Sequence, residues 1–89
     1  MQPVHATTAA VTLRLNRVKL DELRRAHGIN SEAELARRIG VDAATLWRVS
    51  NAESAPGPTF IARVMVAFPA ARMDDLFTVT RPEPLAVAS

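Results

Sequence analysis

The chain has no cysteine, and its three glycines stand far apart. Without cysteine there is no disulfide framework, no thiolate metal site and no thiol nucleophile. The scattered glycines make no loop that could cradle a phosphate. The longest apolar run, Ile61 to Ala71, is interrupted by Arg63 and Pro69 and is too short to span a bilayer. No basic segment precedes an apolar core at the start, so the N-terminus does not read as a signal peptide, and a soluble cytoplasmic protein is expected. Groups for catalysis are equally sparse. His5 and His27 lie in a tail and at a helix end, away from any carboxylates at metal-ligand spacing. No serine has a nearby histidine base. Asp21-Glu22 and Asp74-Asp75 are adjacent pairs, which a helix points about 100° apart rather than toward one substrate. No catalytic residue, metal, cofactor, small-molecule ligand or membrane partner is expected.

What is present fits one small domain. Eighty-nine residues, 48% of them hydrophobic, suffice for a single core and not for two. The net charge is only +2, yet the basic residues are almost all arginine and concentrate between Arg14 and Arg48. That gives a local basic surface compatible with nucleic acid. Residues 1–10 and 82–89 read as flexible tails around a domain of residues 11–81. Val11 to Leu15 alternates apolar and polar like a half-buried strand. Asn16 is placed to cap a helix over Arg17 to His27, whose inner face carries Leu20, Leu23 and either Ala26 or His27. Gly28 ends it, and Ile29 is expected beneath the loop. Ser31 with Glu34 three residues later forms a capping-box pattern. Further on, Pro58 opens a strongly apolar helix with Phe60, Ile61, Val64, Met65 and Phe68, which should form the centre of the core. Pro69 stops it. A single turn over Arg72 to Leu76 and an alternating segment Phe77 to Thr80 follow, and the latter can pair antiparallel with Val11 to Leu15.

The most informative stretch is Glu32 to Asn51, EAELARRIGVDAATLWRVSN. Leu35, Ala36 and Ile39 fall on one helical face, and so do Leu46 and Val49. Between them Gly40 can take the left-handed conformation that ends a helix, and Asp42 is a good N-cap for the next. Ala36 is small enough for two helices to cross closely, while Val41 points inward and pins the crossing. The pattern is a helix-turn-helix. The fold class expected is mainly α: a compact bundle of four to five short helices, with a small two-stranded sheet pairing the terminal segments as an addition the alternation allows.

The same stretch resembles the helix-turn-helix of the lambda-repressor-like family of DNA-binding regulators, also called the Cro/CI-type or XRE family. The likeness rests on Ala36, Ile39, Gly40, Val41, Leu46, Val49 and Asn51, and it covers roughly Asn16 to Phe77. The family's asparagine is usually followed by glycine, where this chain has Ala52. The resemblance implies double-stranded DNA as partner, with a recognition helix at about 42–50 in the major groove and base contacts from Ala43, Ala44, Trp47 and Arg48. Thr45 lies beside them. Alanine touches a thymine methyl but makes no hydrogen bond, so direct readout would rest on Arg48 and Thr45. Arg48 has two readings, a fork onto guanine or a phosphate contact. Trp47 also has two, contact with thymine methyls or sugars and an anchor for a protein interface. Phosphate contacts are implied for the amide end at Ser31 and for Glu32, Asn51, Ser54 and Thr59, with Arg14 and Arg17 supplying flanking charge. Glu32 stands where the family often has glutamine, and a carboxylate there repels phosphate unless it turns aside.

Three functions are consistent with these residues. One is a small transcriptional regulator, a repressor or a Cro-like phage or prophage switch protein, acting as a homodimer at least on DNA. Another is an antitoxin-type protein binding DNA and a protein partner. The third keeps the fold as an interaction protein without DNA binding, as the two alanines and Glu32 would suit. With no ligand-binding domain in the sequence, control by the protein's own abundance is expected over control by an effector.

Overall fold

Three helices begin where a short polar side chain stands ready to take up a free amide. The computed structural model describes residues 11–81; segments 1–10 and 82–89, read from the sequence as tails, lie outside them. Strand β1 (Thr12–Leu15) leads into helices α1 (Arg17–Ala26), α2 (Glu32–Ile39), α3 (Ala43–Ser50) and α4 (Pro58–Ala67), then the single-turn α5 (Met73–Leu76) and strand β2 (Phe77–Thr80). Asn16 accepts a hydrogen bond from the Lys19 amide at 3.1 Å, Ser31 from Glu34 at 3.1 Å and Asp42 from Thr45 at 2.7 Å. Each cap satisfies a donor that a helix start leaves without an internal partner. The capping box is only half made. The Glu34 carboxylate accepts from the amide of Asn30 at 3.4 Å, one residue before the cap, and so ties down the incoming loop. Pro58 opens α4 after Gly57, which offers no side-chain cap.

The first three helices stop in the same way. A residue of positive φ follows each: Gly28 at 71°, Gly40 at 92° and Ala52 at 61°. The amide one place further on then bonds back into the last turn: Ile29 to the Arg24 carbonyl at 3.0 Å, Val41 to Ala36 at 3.0 Å, Glu53 to Arg48 at 2.8 Å. This left-handed stop is common because it pairs carbonyls the helix end leaves free. At the first two stops an apolar residue follows and packs inward, Ile29 buried and Val41 partly so. The third differs in both respects, with alanine in the left-handed position and Glu53 exposed behind it. Helix α1 therefore ends at Ala26, and His27 is its cap, its ring edge-on to Phe68 at 5.0 Å between centroids.

The helices are too short to hold their shape alone, so packing must do it. Leu20, Leu35, Leu46, Val64, Phe68 and Leu76, one or more from every helix, are almost entirely buried. Phe60 and Phe77 meet edge-on at 6.5 Å, joining α4 to β2. Helix α4 is central but not enclosed, since Val66 stays 79% exposed. The strands pair antiparallel, Leu13 opposite Val79 and Leu15 opposite Phe77. Leu15 and Phe77 are buried, whereas Val79 and Val11, which precedes β1, face outward. The Asn16 amide bonds to the Leu76 carbonyl at 2.8 Å, continuing the tie between the two ends. No helix among the described residues is long and apolar enough to cross a membrane.

Left-handed backbone costs an L-residue with a Cβ about 1–2 kcal/mol, while glycine adds some entropy to the unfolded chain. Ala52→Gly is therefore expected to stabilise the protein by about 0.5–1 kcal/mol. Gly40→Ala should do the reverse, because φ is 92°, a left-handed backbone that a Cβ strains. Thermal or urea unfolding of both variants checks the pair, and equal midpoints would contradict the strain at Ala52.

Candidate nucleic-acid interface

The phase of α3 separates an inner from an outer face. Leu46 and Val49 are 1% and 5% exposed and pack into the core. Ala43, Ala44 and Arg48 are exposed, Trp47 is 53% exposed, and Thr45 is half-buried between the two faces. Arg48 Nη2 donates to the Thr45 hydroxyl at 3.4 Å. Asp42 is held below its ordinary carboxyl range by hydrogen bonds from the Thr45 side chain and amide. Arg48, Thr45 and Asp42 thus form a short polar chain along the first turn and a half of α3. Spacings of four and three put Ala43, Trp47 and Ser50 on one stripe.

The expected phosphate-facing residues do not form a single row. Glu32 and Arg17 meet beside the end of α3, while Ser31 is occupied in capping its own helix. Arg14 and Ser54 line a cleft between β1 and the loop after α3, together with Val49 and Ala52. Thr59 lies in a separate groove between α2 and α4, rimmed by Arg38 and Arg63. Asn51 is exposed and folds its side chain back along the helix end, its Nδ2 donating to the Trp47 carbonyl at 2.8 Å. It serves as part of the helix stop, which uses one of the two Nδ2 hydrogens.

Arg17 was read as flanking positive charge; the structure makes it a junction. Its Nη1 donates to Glu32 Oε2 at 3.0 Å and to Ser50 Oγ at 2.8 Å, and its Nε to Asp21 Oδ1 at 3.0 Å. Nη2 meets the second oxygen of Glu32. One guanidinium therefore links α1, the first turn of α2 and the last turn of α3. Glu32 does turn aside, toward Arg17. Arg24 completes the cluster, with Nε 3.3 Å from Asp21 and Nη1 donating to the Ile29 carbonyl at 3.0 Å. Burial works against the charge on Arg17, but the hydrogen bonds and charges of Glu32 and Asp21 outweigh it and raise its pKa. Burial likewise opposes ionisation of Asp21, and Arg17 and Arg24 overcome it and lower its pKa. The sequence offered one clue to this cluster, the four-residue spacing of Arg17 and Asp21. The links to Glu32 and Ser50 span 15 and 33 residues and had no local signature.

Comparison with models of known families, with characterised proteins and with solved structures finds no match to this chain.

The depressed pKa of Asp21 makes a statement about acid stability. A carboxyl whose folded pKa lies below its unfolded value of 3.8 contributes stability that is fully present above that value. That contribution is lost as pH falls through the lower, folded pKa. Asp21→Asn is expected to lower the unfolding midpoint at pH 6 and to flatten the loss of stability below about pH 4. Urea midpoints of the two proteins from pH 6 to pH 2 test this, and parallel curves would show that Asp21 does not titrate with folding.

Proposed function

We propose that this protein is a sequence-specific double-stranded DNA-binding regulator of the lambda-repressor-like kind, acting in the cytoplasm. The observation that carries the reading is the exposed outer face of α3 directly after the Gly40–Val41–Asp42 turn. Ala43, Ala44, Trp47 and Arg48 stand free there while Leu46 and Val49 anchor the helix behind them. A helix presented in this way, N-terminal end foremost, suits the major groove, where its first turns reach base edges. Ala43 and Ala44 allow close approach and contact with thymine methyls, and Arg48 supplies the donors for a guanine. Arg14 and Ser54 support the backbone on one side. A single domain reads too few base pairs to mark a genomic site, so the protein works as a dimer on a roughly palindromic operator, with recognition helices about 34 Å apart.

A protein partner in place of bases is favoured by one feature, the exposure of Trp47, since tryptophan is a frequent interface anchor. The chain has one tryptophan and no tyrosine, so its fluorescence reports on Trp47 alone. Duplex DNA should quench or shift that emission. An unchanged spectrum with duplex bound would move Trp47 to a protein interface.

Binding to labelled duplex should weaken with salt, the slope of log affinity against log salt gaining about −0.9 for each phosphate neutralised. A flat response would remove DNA binding from consideration. Arg48→Ala should cost about 1–3 kcal/mol on the selected site and relax preference at one base pair. Equal losses on selected and random duplex would make Arg48 a phosphate contact instead. Sedimentation of the saturated complex checks assembly: one protein per duplex with full selectivity would exclude the dimer.

A further inference from the structure

We infer that Glu32 acts as an intramolecular phosphate mimic, occupying Arg17 and keeping it off the DNA backbone until a duplex displaces it. The inference rests on the DNA-binding reading and concerns how tightly that surface binds. Its first support is position. Arg17 donates to Ser50 Oγ at 2.8 Å, and Ser50 continues the α3 stripe of Ala43 and Trp47. A duplex lying along that stripe runs past Ser50 onto the Arg17–Glu32 pair. The second is geometry. Two guanidinium nitrogens face the two oxygens of Glu32, the forked arrangement with which arginine also takes a phosphate. The third is charge balance. Arg17 and Arg24 face Asp21 and Glu32, two cations against two anions, so the cluster offers a duplex no net charge as it stands. The last is accessibility, because the Glu32 side chain is 53% exposed. The Arg17 side chain is 22% exposed, so the open side of the pair is its carboxylate, which can swing into solvent when a phosphate competes.

Asp21 keeps Arg17 in place when Glu32 is exchanged, since its bond to Nε is separate from both Glu32 contacts. Glu32→Gln keeps the size of the side chain, removes its charge and leaves the cluster one unit positive. Ser31 still caps the helix. The variant frees Arg17 for one phosphate.

The test is a double-mutant cycle of wild type, Glu32→Gln, Arg17→Gln and the two together. Anisotropy of a labelled mixed-sequence duplex is measured across a potassium chloride series, with thermal midpoints taken alongside. Glu32→Gln should bind roughly tenfold tighter at low salt, and its log–log slope should steepen by about 0.9, one phosphate's worth. Both gains should vanish in the double variant, because they act through Arg17. A folded Glu32→Gln protein with unchanged slope overturns the inference, and so does a double variant that keeps the whole gain, which would show simple repulsion by Glu32. Absence of duplex binding in all four proteins overturns the DNA-binding reading itself, and the inference with it.

Discussion

The close approach of α2 and α3 is the constraint on which the remaining geometry depends. Only two residues, Val41 and Asp42, separate the left-handed Gly40 from α3, so the second helix must leave at once in a new direction. The turn is held from one side by Ala36, whose carbonyl receives the amides of both Gly40 and Val41 at 2.8 and 3.0 Å. Ala36 itself is only 3% exposed. A longer side chain there would separate the helices and tilt α3, moving Ala43 and Arg48 together. The orientation of the outer face is thus set by packing behind it, at residues with no other role.

That packing in turn needs closure of the chain. Helices of eight to ten residues gain little from their own hydrogen bonds. Their stability comes from sharing one core, into which Leu15 and Phe77 are delivered by a four-residue ladder. A two-stranded ribbon of that length would not persist in water. Ribbon and helices are each insufficient alone, and Phe60 against Phe77 is where they lean on each other. Loss at the ribbon would therefore be felt at α3, which β1 also touches.

How much of this could be read from the sequence followed from the range of each interaction. Caps at Asn16, Ser31 and Asp42, stops at Gly28 and Gly40, and the proline opening α4 are written within four residues, and they fall where the pattern put them. The strand pairing was legible from alternation at both ends. Ala52 was legible as an anomaly, alanine where glycine was expected, and the backbone is left-handed there regardless. Only one link of the Arg17 cluster was legible, the four-residue spacing to Asp21, because Glu32 and Ser50 come from other helices. The bond at Glu34 was not legible either, since its carboxylate takes the Asn30 amide through a choice between neighbours that spacing does not decide. Among the candidate interface residues, the faces of Ala43, Ala44, Trp47 and Arg48 followed from helix phase. The engagement of Arg17 with Glu32 depended on tertiary partners, whereas Asn51 bonds to the Trp47 carbonyl within its own helix end.

These partners change what the arginine content means. Counting along the sequence gives a basic run from Arg14 to Arg48, but Arg17 and Arg24 are matched against Asp21 and Glu32. Seven arginines among the described residues have no carboxylate partner: Arg25, Arg37, Arg38, Arg63 and Arg81, with Arg14 beside the loop after α3 and Arg48 on its outer face. Charge is therefore balanced near the end of α3, at Arg17, Arg24, Asp21 and Glu32, and left positive at Arg14 and Arg48. Two alanines at the start of that helix add contact without hydrogen bonds. On the DNA-binding reading proposed above, affinity from phosphate and discrimination from bases would both be modest for one copy of this domain. On the same reading, two copies on a symmetric site would multiply the discrimination while each surface stays weak.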